Sequence, residues 1–186
     1  MVDLTILIPC FESPRVVEFS ISNNEKLFSS YPVIVVNKKG GDLFKMFALI
    51  VFDQKTSWWF ARRFGLEFVK TKYVLNLDVD TTLPEGYVEK AIEILEAHPD
   101  IGAVALDYNP PQGHLAFGTS VWRTEQLKEL YDWRLTEEQQ GKICECKYMW
   151  DKVAKKGLKV ETLPMKAIHH NQKTYIPEKP YNSGEC

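Results

Sequence analysis

Tyr73-Val-Leu-Asn-Leu-Asp78-Val-Asp80-Thr-Thr-Leu-Pro-Glu-Gly86 is the stretch on which the fold turns: an apolar run ends in two carboxylates one residue apart, and a helix-start signal follows. The run Tyr73–Leu77 reads as a buried strand, and Thr81-Thr82-Leu83-Pro84 breaks it, so that both carboxylates can turn toward a common point. In an open α/β sheet, ligands bind outside the carboxyl ends of the strands. Two carboxylates there suit a hard divalent cation such as Mg²⁺ or Mn²⁺. Asp78 and Asp80 are therefore candidate metal ligands for a phosphorylated ligand, with a turn or helix cap as the plainer reading of the same residues.

Upstream, Leu4–Ile8 is a short β-rich run broken by Pro9, and after a polar stretch Val33–Val36 is a second, ended by Asn37 and a Lys-Lys-Gly-Gly turn. Phe47–Phe52 is a third. Ser57 then opens a helix through Phe60, Ala61, Phe64 and Phe68 that feeds the acidic strand. Downstream, Thr82 and Glu85 fit a capping box, and Val88, Ala91, Ile92 and Leu95 fall on one helical face that ends near His98-Pro99. Ile101–Leu106 reads as a fifth strand, Leu115–Trp122 as a sixth, and Thr124–Trp133 as a helix. The spacing then predicts a helix over Cys146–Lys156, stopped by Gly157, and a strand over Leu158–Leu163. This β, α, β alternation predicts an α/β fold, a single domain over residues 1–175 with an irregular tail at 176–186.

Composition narrows the function classes. The 186 residues are 45% apolar and 26% charged, with a net charge of -2, which gives no reason to expect nucleic acid as a partner. The longest apolar stretches fall far below the roughly 20 residues that span a bilayer, and the N-terminus lacks a signal-peptide pattern, so the chain reads as cytoplasmic. Ser57-Trp58-Trp59-Phe60-Ala-Arg-Arg63 fits either a core helix or peripheral contact with a membrane surface. Of the four cysteines, Cys144-Glu-Cys146 lacks the two-residue spacer of common zinc sites and no His follows at zinc-finger distance; buried or incidental thiols are expected.

From Leu4 to His170, about nine-tenths of the chain, the order and spacing of motifs resemble the family 2-like glycosyltransferases of the GT-A fold. Ile8-Pro9-Cys-Phe-Glu12 resembles that family's first-strand ending, Val33–Asn37 the strand whose end contacts the nucleotide, and Ala61-Arg62-Arg63-Phe64-Gly65 its Ala-Arg-Asn-x-Gly helix. Asp78-Val79-Asp80 stands at the place of its Asp-x-Asp motif. Glu145, twelve residues before Gly157, resembles its Glu-Asp helix, and Pro164 with His169-His170 its last strand and terminal His.

The resemblance implies a GT-A-like mixed, mostly parallel sheet flanked by helices, with a nucleotide-sugar half over 1–100 and an acceptor half over 101–175. It also implies sugar transfer from a UDP- or GDP-sugar to a protein, glycan or lipid acceptor, with inversion and with Mn²⁺ or Mg²⁺. Pro9, Glu12, Asn37, Arg62, Arg63, Asp78, Val79 and Asp80 would then contact the donor; Asp78, Asp80, His169 and His170 would be candidate metal ligands. Gly113–Gly118 would line the sugar or acceptor pocket.

The sequence departs from the family at Cys146, where Asp is usual, which leaves the catalytic base between Glu145 and Asp151. Asp151 is preferred, because a helix starting after Glu145 would leave Glu145 as its cap. Asn37 replaces an Asp, and Glu12 lies one place early. Two other readings stay open. Asp78-Val-Asp80-Thr-Thr-Leu83 also fits the Asp-x-Asp-x-Thr-Leu pattern of haloacid dehalogenase-like phosphatases, with Asp78 as nucleophile, although three strands precede it and no downstream acidic cluster accompanies it. A degenerate transferase that binds nucleotide sugar without turnover is the non-enzymatic alternative.

Overall fold

The apolar residues of β1 (Leu4–Cys10) alternate between two cores: Leu4, Ile6 and Ile8 pack on one face of a sheet and Leu7 on the other, as the two-residue period of a strand requires. The computed structural model describes residues 3–10, 14–37, 48–51, 58–109, 111, 114–131 and 144–170. Among the described residues the strands are β1, β2 (Val33–Asn37), β3 (Ala48–Val51), β4 (Tyr73–Asn76), β5 (Thr81–Thr82), β6 (Ile101–Asn109), β7 (Val121–Arg123) and β8 (Lys159–His169). They lie in the order β3-β2-β1-β4-β7-β6-β8-β5. The β3, β2, β1, β4 half is parallel, β7 runs antiparallel to both β4 and β6, and β8 is parallel to β6. The sheet is mixed and mostly parallel, as expected.

Helices cover both faces. On the first lie α1 (Pro14–Asn23), α2 (Glu25–Ser30) and α4 (Tyr87–Ala97), which bury Val16, Val17, Phe28, Tyr87, Val88, Ala91 and Leu95 against β1, β2 and β4. On the second lie α3 (Trp58–Leu66), α5 (Thr124–Leu130) and α6 (Glu145–Lys155), with Trp59, Leu66, Leu127, Leu130, Met149 and Val153 in its core. Burial on both sides explains why β1, β2 and β4 read as continuous apolar runs rather than alternating ones.

Several sequence expectations need correction. The polar stretch after β1 holds α1 and α2, which bury few apolar residues, Val16 and Val17 on the first and Phe28 on the second. The expected capping box at Thr82 and Glu85 does not form. The residue before α4 is Gly86, at φ 75°, with no side-chain cap; the Thr82 hydroxyl instead lies 2.9 Å from His170 Nε2, and Glu85 pairs with Lys26. The segment expected as a sixth strand, Leu115–Trp122, is a 3₁₀ turn at Phe117–Thr119 followed by the short β7.

Neither proline ends its strand. β4 has already stopped opposite Leu7, so Pro9 faces no neighbour there that would want its missing N–H. Pro164 falls where the register of β8 against β6 shifts between Thr162 and Lys166, an irregularity that absorbs it. Gly157, at φ 72°, stops α6 as expected. The expected tail at 176–186 lies outside the described residues. Trp59 is buried against Tyr131 and Tyr148, with ring centroids 5.1 and 4.8 Å away, so this part of the aromatic and basic cluster is core. Among the described residues, no helix is long and apolar enough to cross a membrane.

Candidate functional site

β4 ends at Asn76, and the turn after it is pinned by backbone bonds from three directions. Asp78 N–H donates to the Gly118 carbonyl at 3.0 Å, Thr81 N–H to the Asp78 carbonyl at 3.1 Å, and His170 N–H to the Asp80 carbonyl at 2.8 Å. The last of these exists because β5 pairs antiparallel with the end of β8, setting Thr81 opposite His169. A strand from the far end of the chain thereby delivers two histidines to the acidic turn. Val79, between the acids, points into the core and is 6% exposed.

Each oxygen of Asp78 is engaged. Oδ1 accepts from the guanidinium of Arg62, and Oδ2 accepts from the Tyr108 hydroxyl at 2.8 Å. Arg62 also donates to Glu145, whose other oxygen accepts from the Tyr131 hydroxyl. One arginine on α3 therefore ties the acidic turn to the first turn of α6. It is nearly sealed, with 5% side-chain exposure against 28% for Asp78 and 12% for Glu145, and it sits 5.4 Å from the Phe117 ring centroid. Desolvation works against its charge, but Glu145 and Asp78 outweigh that and raise its pKa. Burial likewise raises the Glu145 carboxyl above the ordinary carboxylate range, although Arg62 and the Tyr131 hydroxyl pull it down. Burial also pushes both tyrosines well up, keeping them as donors.

Asp80 lies on the other side of the turn, its Oδ2 3.1 Å from His169 Nε2, with the His169 ring stacked on Tyr108 at 4.6 Å. Burial alone would lower His169, but the bond to Asp80 and the charges of Asp80 and Asp78 hold it above its usual value. His170 is held down mainly by burial; its ring packs on Phe19 at 4.6 Å and sits at Thr82 rather than at Asp80.

The expected site residues divide accordingly. Arg62, Asp78, Asp80, Glu145 and His169 are brought together. Arg63 pairs with Glu67 on its own helix. Pro9 is a buried β1 residue in register with Val36, and Asn37, described in its backbone, ends β2 beside Cys10 and Val51. Glu12 lies outside the described residues. The helix start that favours Asp151 as base differs from the one observed. α6 begins at Glu145, not after it, and Asp151 is exposed, roughly 120° around the helix from the residue that meets Arg62.

Two residues of the site escaped the sequence reading, and a third was read in another role. Tyr108 and Tyr131 stand in no motif; the available signal was that a buried tyrosine needs a partner for its hydroxyl. Gly118 was expected in a pocket lining, yet it supports Asp78 directly, since a Cβ there would lie 1.8 Å from Asp78 Oδ2. Of the same segment, His114 and Leu115 line a cleft of about 340 Å³ with Asp107, Pro111, Thr162 and Lys166.

Comparison with known proteins bears on the fold and the family. Among solved structures, the mannosyltransferase PcManGT from Pyrobaculum calidifontis, in complex with GDP-Man and Mn²⁺, superposes with a TM-score of 0.68 at 16% identity, over 90% of this chain and 56% of that one. TarS (residues 1–349) from S. aureus superposes with a TM-score of 0.63 at 12% identity, over 94% of this chain and 62% of that one. At such identities the likeness is one of fold, the GT-A fold, and this chain spans less than two thirds of either. No curated protein matches the sequence at a significant level. The sequence does match the model of Glycosyl transferase family 2 over residues 5–158, a span holding both carboxylates that Arg62 bridges, and the chain belongs to that family.

Proposed function

We propose that the protein transfers a hexosyl group from a nucleoside diphosphate sugar, with UDP or GDP as nucleotide, to an acceptor hydroxyl, with inversion and with the help of Mn²⁺ or Mg²⁺. The observation that carries this reading is the arginine-bridged pair, in which Asp78 at the carboxyl end of β4 and Glu145 at the start of α6 share one buried cation. Family membership and the GDP-Man and Mn²⁺ held by the archaeal neighbour support it.

The residues fit a hard cation. Asp80 uses one oxygen on His169, and its other makes no hydrogen bond among the described residues, while Gly118 leaves room for the Asp78 carboxylate beside it. Asp80 with Asp78 would hold the ion and His169 would flank it. When bound, a divalent cation neutralises charge on the leaving diphosphate. Arg62 holds Asp78 in place, and Tyr108 fixes its second oxygen. Glu145 takes the proton of the attacking hydroxyl; its raised pKa suits that task better than an ordinary carboxylate would. Asp151 is too far around α6 to share it.

A thermal-shift screen of UDP- and GDP-sugars with and without Mn²⁺ tests the reading. At least one donor should stabilise the protein in a Mn²⁺-dependent way, and Asp80→Asn should remove that stabilisation. If no nucleotide sugar shifts the melting temperature, the proposal fails. Donor turnover should fall about 10²-fold or more in Glu145→Gln and stay near the wild-type rate in Asp151→Asn. A base must be ionised, so activity should be lost as pH falls through the raised Glu145 pKa. Tyr131→Phe removes a donor that lowers that pKa, and should move the acid limb of the pH–rate profile upward.

One observation favours a second reading, binding without turnover: each Glu145 oxygen already accepts a hydrogen bond. Donor binding with no turnover toward water or any acceptor would select it. The phosphatase alternative has less behind it, since the family model that matches is that of Glycosyl transferase family 2, and it predicts a trapped aspartyl-phosphate that the transferase does not.

A further inference from the structure

We propose that His114, Cys144 and Cys146 form a binding site for a borderline-soft divalent cation of the zinc class, separate from the carboxylate site. The Nε2 or Nδ1 of the histidine and the two Sγ atoms all lie within 4.8 Å of one another, and His114 Nε2 is 3.9 Å from Cys144 Sγ. Tetrahedral zinc, with Zn–S of about 2.3 Å and Zn–N of about 2.0 Å, sets S···N near 3.6 Å, so small side-chain rotations close the set around an ion. All three residues are half-buried, which limits competition from water while leaving a path for entry.

The surroundings suit two thiolates. Cys144 immediately precedes α6 and Cys146 lies in its first turn, where the helix dipole favours negative charge. Cys146 Sγ already accepts a hydrogen bond from Phe117 N–H at 3.4 Å, an outer-shell contact of the kind that orients a metal-bound thiolate. The Arg62 guanidinium feels the charge of Cys146. Binding releases one proton from each thiol, and the resulting dithiolate neutralises the ion. A sulfur and imidazole set selects Zn²⁺ over Mg²⁺ or Mn²⁺, whereas the oxygens of Asp78 and Asp80 select the reverse.

Such an ion would join the segment that carries the Phe117–Thr119 turn to the start of α6, with Glu145 lying between its two cysteine ligands. The site stands on residues that the proposed transfer chemistry does not use, so either proposal can fail without the other.

The test uses the reduced, metal-free full chain titrated with Co²⁺ as a spectroscopic stand-in for Zn²⁺. A thiolate-to-cobalt charge-transfer band with tetrahedral d–d bands should saturate at one equivalent, and Zn²⁺ should displace it. His114→Ala and Cys144→Ser should each weaken binding by at least roughly tenfold, the lower figure for losing even an outer-shell partner. Cys10→Ser should not change it. In the unaltered protein, where no variant can misfold, Zn²⁺ should protect Cys144 and Cys146 from alkylation, read by peptide mass spectrometry. Absence of the thiolate band, equal alkylation with and without Zn²⁺, or a band undiminished in both variants and lost in Cys186→Ser would overturn the proposal.

Discussion

Arg62→Met is expected to cost about 3–5 kcal/mol of folding stability, because it strips two carboxylates of their shared cation and leaves one of them, Glu145, buried without a charge partner. For a domain of this size that is a fall in Tm of about 10 °C, readable by calorimetry. The loss should shrink in acid. Without Arg62 the Glu145 carboxyl rises further above its unfolded value, and a group whose folded pKa is raised stabilises below its unfolded pKa and loses that contribution as pH climbs through the folded one. The variant should therefore recover part of its deficit as pH falls toward the carboxylate range. A variant as stable as the parent at neutral pH would mean that the bridge does not hold the acidic turn to the start of α6.

Gly118→Ala should damage the site more than the fold. The added methyl would meet Asp78 Oδ2 at 1.8 Å and its Cγ at 2.0 Å. A free carboxylate would swing aside at little cost, but this one is held by Arg62 and Tyr108, and its backbone N–H is bonded to the Gly118 carbonyl itself. Relief requires breaking one of those bonds. The expected result is a stability loss of about 1–3 kcal/mol, the range for overpacking a filled site. Mn²⁺-dependent donor binding or turnover should fall on the order of 10²-fold, as a misplacement of about 1 Å can cause. Donor binding at the parent level would show that Asp78 is not needed in its present position.

What the chain discloses without coordinates follows from the range over which its signals act. Strands buried on both faces announce themselves as local apolar runs, so β1, β2 and β4 were legible and the acidic turn fell in place behind the third of them. Helix α4 was legible from Val88, Ala91, Ile92 and Leu95, yet its start was not, because Thr82 found a better partner in His170, a residue 88 positions away. β8 exceeded its expected length for the same reason: its pairing with β6 carries it past Pro164, a long-range gain that local propensity does not register.

The candidate site divides in the same manner. Arg62 and Glu145 stood in recognisable motifs, but 83 residues separate them, and no spacing rule reveals that they meet. His114 escaped as a cysteine partner because it precedes Cys144 by 30 residues, whereas zinc spacing rules look for a histidine following the cysteines. Asp151 was preferred over Glu145 on a helix boundary misplaced by one residue, the least secure kind of boundary to read from sequence.

The guanidinium of Arg62 is a counterion held in common, and common ownership makes its two carboxylates thermodynamically reciprocal. A cation settling on Asp78 and Asp80 would satisfy Asp78 from outside, cancel its repulsion of Glu145 and leave Arg62 to the latter. The affinity of Glu145 for protons would then drop. The converse has the same free energy: a proton on Glu145 turns Arg62 toward Asp78 and weakens the acidic turn as a cation site. Loading the acidic turn with a cation would thus favour the ionised form of Glu145 at the start of α6, with no part of the backbone having to move.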